Sequence, residues 1–166
     1  LSKAVAGPLL SALQDVRMPL FFDVAQLDLE AAINLAAEYP ELPIVLCGVA
    51  WASDRVIFAQ FGDVPNLHLE TWAFQGHRHY ERFVKAFGSE RLLFGTDLPN
   101  RSPGAARMMT CYEQISDQDR RNIAGENLLR AMAQAEKVAK RLQAERPAST
   151  LRFVPPPTSA PAYVSR

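Results

Sequence analysis

Residues 91–97, with the sequence Arg-Leu-Leu-Phe-Gly-Thr-Asp, form a short apolar run that ends in a carboxylate. Three similar runs precede it, at residues 19–24, 43–48 and 66–71, and Pro, Gly or Asn residues bound them. Short apolar runs rich in β-branched or aromatic residues are typical of buried strands. We therefore predict four strands, centred near residues 21, 45, 68 and 94.

The segments between these runs have the apolar spacing of helices. Between the first two strands, Leu29, Ala32, Ile33, Ala36 and Ala37 share one helical face, and a proline follows at position 40. The next connectors, residues 53–61 and 80–87, each precede a glycine that we expect to end the helix. Because parallel strands need crossovers of about a dozen residues, the pattern predicts a parallel α/β sheet.

The chain after the fourth strand is predicted to be helical and then extended. Ser102-Pro103 marks one helix start, and Ser116 with Asp119 resembles a capping box. Apolar residues at helical spacing from Leu128 to Leu142 predict a long amphipathic helix. From Pro147 the sequence is rich in Pro, Ser, Thr and Ala, so we expect a domain over residues 1–146 and a disordered tail over 147–166.

Composition excludes several functional classes. Lys plus Arg and Asp plus Glu both number 18, so no net charge favours a nucleic-acid or anionic-membrane partner. No apolar run is long enough for a signal peptide or a membrane span, which makes the cytoplasm the expected location. The two cysteines, Cys47 and Cys111, are too few for a disulfide framework and are expected to stay reduced.

The carboxyl ends of the predicted strands are where functional side chains of a parallel sheet gather. They hold Asp23, Gly48, Glu70 with Thr71, and Asp97. Strand alternation places Asp97 on the same side as Gly95, where a carboxylate can bind a divalent metal or accept a proton from water. A carboxylate that only accepts backbone N–H bonds fits the same position, and position alone leaves both readings open.

Histidine and tryptophan residues near these ends are further candidates. His77 and His79 are two residues apart, so on an extended segment they would point the same way, but the segment opens a helix and surface or N-terminal-turn positions are the favoured interpretation. Trp72 follows a strand end and fits either a substrate pocket or a barrel rim. For His68 we favour a satisfied core or rim position over a role as metal ligand or acid–base group.

Residues 90–99, Glu-Arg-Leu-Leu-Phe-Gly-Thr-Asp-Leu-Pro, followed by Ile123-Ala-Gly-Glu-Asn-Leu-Leu129, resemble the C-terminal part of the amidohydrolase-related family. Residues 39–45 and 65–71 agree with its upstream pattern, and the likeness covers about residues 9–133. The family comprises metal-dependent hydrolases and decarboxylases with a TIM-barrel fold. The resemblance implies the C-terminal half of a (β/α)8 barrel, because a whole barrel typically needs about 250 residues.

The resemblance also implies roles for individual residues. Asp97 corresponds to the aspartate that ends the last barrel strand, where it binds a divalent metal such as zinc or serves the attacking water. The family commonly has histidines where this chain has Asp23 and Gly48. Two options therefore stay open, a metal site that uses Asp23 as an oxygen ligand, or no metal at all.

Two functions follow as hypotheses. The first is an amidohydrolase-type enzyme in which metal-assisted water attacks a carbonyl carbon, or a related decarboxylation occurs. Asp97 is then catalytic, His77, His79 and Trp72 bind a small-molecule substrate, and this half alone is inactive. The second is a non-catalytic barrel half that acts by assembling with a partner. In both, open sheet edges favour self-association or pairing with a missing N-terminal half.

Overall fold

The computed structural model describes residues 3–145, so the predicted tail from Pro147 onward lies outside the described residues. Within them, strands and helices follow one another along the chain in the order α1 (Lys3–Asp15), β1 (Leu20–Asp23), α2 (Leu29–Glu38), β2 (Ile44–Cys47), α3 (Asp54–Gln60), β3 (Leu67–Glu70), α4 (His79–Phe87), β4 (Leu92–Leu93), α5 (Gly104–Tyr112), α6 (Asp117–Arg121) and α7 (Asn127–Glu145). Short 3-10 turns flank α3, and a π-helical turn, Asn122–Glu126, joins α6 to α7.

The four strands form one parallel sheet in the order β1-β2-β3-β4. Phe21 is paired with Val45, Val45 with His68, and Leu69 with Leu92. Each strand therefore pairs with the next strand along the chain, as repeated βα units require. The predicted parallel α/β architecture is confirmed.

The fourth strand is shorter than its sequence predicts. Only Leu92 and Leu93 pair with β3, because the backbone N–H of Phe94 donates to the carbonyl of Ile123 in the π-helical turn, at 3.0 Å. The chain then leaves the sheet, and Asp97 adopts a left-handed φ of 56°. The prediction that Asp97 lies in the fourth strand, on the same side as Gly95, is therefore wrong. A turn after the strand sets its position instead.

Helix ends agree with the sequence at several positions. Asp28 caps α2 by accepting from the backbone N–H of Ala31, and Gly88 follows α4 with a φ of 81°. Ser116 and Asp119 form the predicted capping box of α6. Gly62 does not end its segment as predicted, because a 3-10 turn continues through it from Phe61 to Asp63.

The two faces of the sheet differ in what covers them. Alternate residues Ile44, Leu46, Leu67, Leu69 and Leu92 belong to the buried core, together with helix residues such as Ala36, Ile57 and Phe83. The other face carries Phe21, Asp23, Cys47, His68 and Glu70, none of which belongs to that core. Phe21 is 47% exposed there. Helices therefore cover one face, and the second face carries the candidate site.

Two buried or half-buried asparagines tie the strands to neighbouring segments. Asn66 donates to the carbonyls of Ala36, Tyr39 and Leu42. Asn127, at the start of α7, donates to the carbonyls of Ser89 and Leu92, both at 2.7 Å. Among helices in residues 3–145, none is both long and apolar enough to cross a membrane.

Candidate active site

Three carboxylates lie at the C-terminal end of the sheet. Asp23 ends β1, Glu70 ends β3, and Asp97 follows β4 by four residues. Glu70 is only 8% exposed, its Oε1 accepts from the backbone N–H of Trp72 at 3.0 Å, and its Oε2 is buried without a hydrogen-bond partner. The three strand ends thus form an acidic mouth, the name used below for Asp23, Glu70, Asp97 and their loops.

Two glycines leave the space that these carboxylates occupy. A Cβ on Gly95 would lie 1.3 Å from Oε1 of Glu70, so no other residue fits there while Glu70 keeps its position. A Cβ on Gly48 would lie 3.1 Å from Oδ2 of Asp23, and Gly48 also has a φ of 77°. The Asp23 carboxylate therefore lies against the position where the resemblance leads us to expect a histidine.

The acidic mouth changes the ionisation of its buried groups. Burial, together with the negative charges of Asp97 and Asp23, raises the pKa of the Glu70 carboxyl to about 7. Burial also raises the pKa of the Cys47 thiol to about 12, with contributions from Glu70 and Asp23. Glu70 is therefore present in both protonated and ionised forms near neutral pH, whereas Cys47 stays a thiol.

Asp97 is held by its own loop and faces an arginine. Its Oδ1 accepts from the side-chain amide of Asn100 at 3.1 Å, and Nε of Arg101 lies 3.4 Å from its Oδ2. The guanidinium carbon of Arg101 lies 4.6 Å from the centre of the Trp72 ring. Trp72 and Asp97, which follow different strands, are therefore brought together through Arg101.

His77, in the loop after β3, and His79, the first residue of α4, lie in different surroundings. His77 is exposed and lines a cavity of about 670 Å³ with Glu81 and Ser116, whereas the carboxylates of the acidic mouth are not among its lining residues. His79 is 2% exposed, stacks on Phe74 at 4.6 Å, and its Nε2 lies 2.9 Å from Oδ2 of Asp54. Their assignment to substrate binding stays a prediction.

His68 lies on the same face of β3 as Glu70, one pleat earlier. Burial, together with the positive charge of Arg91, lowers its pKa to about 4. The cavity that it lines also contains Pro43, Pro65 and Asn66, which precede β2 and β3. His68 is thus a neutral residue toward the N-terminal end of the sheet.

The described residues do not form a metal site by themselves. No group of three His, Cys, Asp or Glu side chains in residues 5–145 could hold a metal ion. The charges of Asp23 and Asp97, the two predicted ligands, each raise the pKa of Glu70, but no three such side chains among the described residues are grouped closely enough to hold an ion. These residues therefore do not fit a metal ion held by this part of the chain alone.

Residues 2–131 match the family model described as amidohydrolase. This chain belongs to the amidohydrolase family. The match covers most of the chain and includes all four strands and the acidic mouth. No curated protein matches the sequence.

Solved structures share the fold of this amidohydrolase chain. An uncharacterized TIM-barrel protein from Bordetella bronchiseptica has a TM-score of 0.67 and 21% identity over 79% of this chain and 51% of that one. A 2,6-dihydroxybenzoate decarboxylase from Rhizobium has a TM-score of 0.53 and 17% identity, over 76% of this chain and 54% of that one.

A dihydroxybenzoic acid decarboxylase from Polaromonas sp. JS666, solved with manganese and the inhibitor 2-nitroresorcinol, has a TM-score of 0.58 and 16% identity. The match covers 76% of this chain and 53% of that one. The chain thus spans about half the length of the barrels that it matches, which confirms the predicted half of a TIM barrel.

Sequence reasoning left two residues of the acidic mouth unassigned. Glu70 stands at a strand end, but only the structure shows that its Oε2 is buried without a partner. The sequence carries a weak signal for Glu70 in Gly95, which has no side chain to fill the space beside Glu70 in the segment that follows β4. Arg101 had no sequence signal, because its contact with Trp72 joins two loops 29 positions apart.

Proposed function

We propose that this chain supplies the C-terminal half of the active site of an amidohydrolase-type enzyme that hydrolyses or decarboxylates a small organic molecule. The observation that carries the proposal is the convergence of Asp23, Glu70 and Asp97 at the C-terminal strand ends, where barrels of this fold place catalytic groups. The family membership and the decarboxylases among the structural neighbours support this reaction class.

In hydrolysis, Asp97 accepts a proton from water as the water oxygen bonds to the carbonyl carbon. Glu70 then donates a proton to the leaving group as its bond to that carbon breaks, and a pKa of about 7 suits this role. In decarboxylation, the same acid protonates the carbon from which CO₂ departs. Both sequences of steps use only groups of this chain.

A divalent metal belongs to the proposal only for the intact enzyme. Zinc is the metal that the resemblance implies, and manganese is bound in the Polaromonas decarboxylase. Because the described residues contain no set of three ligands, further ligands would have to come from outside them. We therefore assign no catalytic step of this chain to a metal.

The replacement Asp97→Asn tests the proposal in the natural full-length protein. Asparagine tolerates the left-handed φ of 56° and keeps the side-chain shape, so the fold should be retained while turnover falls on the order of 100-fold or more. Turnover is followed as CO₂ or product release across a panel of small carboxylic acids, amides and lactones, with the melting temperature measured in parallel.

Asp63→Asn is the matched control, because Asp63 is exposed and precedes β3 at the other end of the sheet. Its turnover should equal that of the unmodified protein. Retained turnover in Asp97→Asn with a lowered melting temperature would assign Asp97 a structural role and remove the catalytic proposal.

The alternative function is a non-catalytic barrel half that assembles with a partner. It is favoured by the exposure of Phe21 on the face that helices leave uncovered. Under this alternative, Asp97→Asn changes neither assembly nor any measured turnover.

A further inference from the structure

Thr71 follows β3 directly and is completely buried. Its backbone N–H donates to the carbonyl of Leu93 at 3.0 Å, which continues the ladder between β3 and β4 by one bond. In a regular parallel ladder, the next bond would run from the N–H of Gly95 to the carbonyl of Thr71. Here the N–H of Gly95 donates instead to the side-chain hydroxyl of Thr71, at 3.1 Å. A side chain thus takes the place of a main-chain acceptor.

The position of Gly95 matters because the Glu70 carboxyl lies against it. A Cβ on Gly95 would lie 1.3 Å from Oε1 and 2.1 Å from Cδ of Glu70, so the carboxyl packs directly on the Gly95 backbone. The residue that accepts from Gly95 is the next residue after Glu70. The Thr71 hydroxyl therefore fixes the distance between the Glu70 carboxyl and the segment that covers it.

Two of the effects that set the ionisation of Glu70 depend on this segment. Gly95 contributes to the burial of the carboxyl, and Asp97, two residues later, adds a negative charge; both effects raise the pKa of Glu70. The backbone N–H of Trp72 lowers that pKa, but it belongs to the chain that continues from β3. Movement of the segment away from β3 would therefore lower the pKa of Glu70 toward its ordinary value.

We propose that Thr71 is a positioning residue, whose hydroxyl replaces a main-chain acceptor of the ladder and thereby holds Gly95 against the Glu70 carboxyl. This inference rests on the proposed function, in which Glu70 is the proton donor. Thr71 is completely buried and acts through Gly95. Without the hydroxyl, the N–H of Gly95 loses its acceptor, turns toward water and uncovers Glu70.

Thr71→Val in the natural full-length protein tests the proposal, because it removes the hydroxyl and keeps the branched side-chain shape. The carbon-13 NMR signal of the Glu70 carboxyl, assigned by its absence in Glu70→Gln, gives the pKa of Glu70 in each variant. This pKa should fall from about 7 by about one pH unit or more in Thr71→Val. Thr71→Ser keeps a hydroxyl and should keep the pKa. An unchanged or raised pKa in Thr71→Val overturns the proposal.

Thr110→Val is the matched control, because it removes another buried threonine hydroxyl, which donates to the carbonyl of Ala106 within α5. It should lower the melting temperature but leave the pKa of Glu70 unchanged. An equal fall of that pKa in Thr110→Val would assign the effect to lost stability and overturn the proposal.

A measurement on the unmodified protein tests the same bond without any variant. The amide proton of Gly95 should exchange with solvent at least about 100-fold more slowly than an unprotected amide, because the Thr71 hydroxyl accepts from it. Exchange of Gly95 at the unprotected rate overturns the proposal.

Turnover separates this inference from the proposed function. Because Glu70 must be protonated to act as the acid, a pKa lower by one pH unit should reduce turnover at pH 7 by about fivefold in Thr71→Val, with recovery in Thr71→Ser. A lowered pKa with full turnover supports Thr71 as a positioning residue and removes Glu70 as the proton donor. An unchanged pKa in Thr71→Val together with lost turnover in Asp97→Asn removes this inference and leaves the enzyme assignment in place.

Discussion

At the scale of single residues, Glu70 links the site to the stability of the chain. The fold holds its carboxyl in a buried position beside two other acids, and this raises its pKa from 4.5 to about 7. The folded state therefore favours the protonated form. A buried carboxyl of this kind destabilises the fold once it ionises. Such strongly shifted groups are found most often at functional sites.

We predict that Glu70→Gln removes a pH-dependent part of the stability. In the unmodified protein, the contribution of Glu70 is fully present below pH 4.5 and is lost as the pH rises through about 7. Between pH 4.5 and a pH above 7, the free energy of unfolding of the unmodified protein should thus fall by on the order of 2 kcal/mol more than that of Glu70→Gln.

Denaturant unfolding of both proteins at a series of pH values measures this difference. His68, whose pKa is lowered to about 4, acts in the opposite direction below pH 6.5, but it is present in both proteins and cancels. Parallel curves for the two proteins would mean that Glu70 is not buried as a protonated acid.

At the scale of elements, Asn127 connects α7 to the end of the sheet. Its side-chain amide donates to the carbonyls of Ser89 and Leu92, and the residue is buried. The amide thus binds one carbonyl shortly before β4 and the carbonyl of the first residue of β4. The position of the loop that carries Asp97 depends on this short strand.

We predict that Asn127→Ala lowers the free energy of unfolding by about 1–3 kcal/mol, because the Leu92 carbonyl loses the Asn127 donor and the Ser89 carbonyl keeps only the backbone N–H of Leu92. Asn34→Ala on the exposed side of α2 is the control and should cost less than about 0.5 kcal/mol. Thermal and denaturant unfolding measure both variants. Equal stabilities would show that water replaces the Asn127 amide without cost.

At the scale of the whole molecule, the sheet has two outer strands. β1 and β4 each pair on one side only among the described residues, and Phe21 is 47% exposed on the face that the helices do not cover. Unpaired strand edges and exposed aromatic side chains favour association.

We therefore predict that the isolated chain self-associates or is unstable. Phe21→Glu should reduce association, because it places a charge on the exposed face, whereas Val5→Glu on the solvent side of α1 should not. Light scattering and calorimetry measure assembly and melting. A monodisperse monomer with a cooperative melt in the unmodified chain contradicts the prediction.

The order of strands and helices was predictable because it rests on local patterns. Four apolar runs recur at regular spacing, and the amphipathic connectors between them are long enough for helical crossovers. This pattern predicts a parallel sheet, which the structure has. Helix caps such as Ser116 with Asp119 are equally local, since both groups lie within one turn. The family resemblance was carried by residues 90–99, and the match over residues 2–131 confirms it.

The sequence by itself thus determined the half-barrel architecture and the strand ends at which Asp23, Glu70 and Asp97 lie. Only the tertiary structure decided how these residues meet: the burial of Glu70 against Gly95, the left-handed turn at Asp97, and the contact of Arg101 with Trp72. The reason is physical. Strand and helix periodicity depend on neighbouring residues, whereas burial, charge coupling and contacts between loops depend on groups that folding brings together from distant positions.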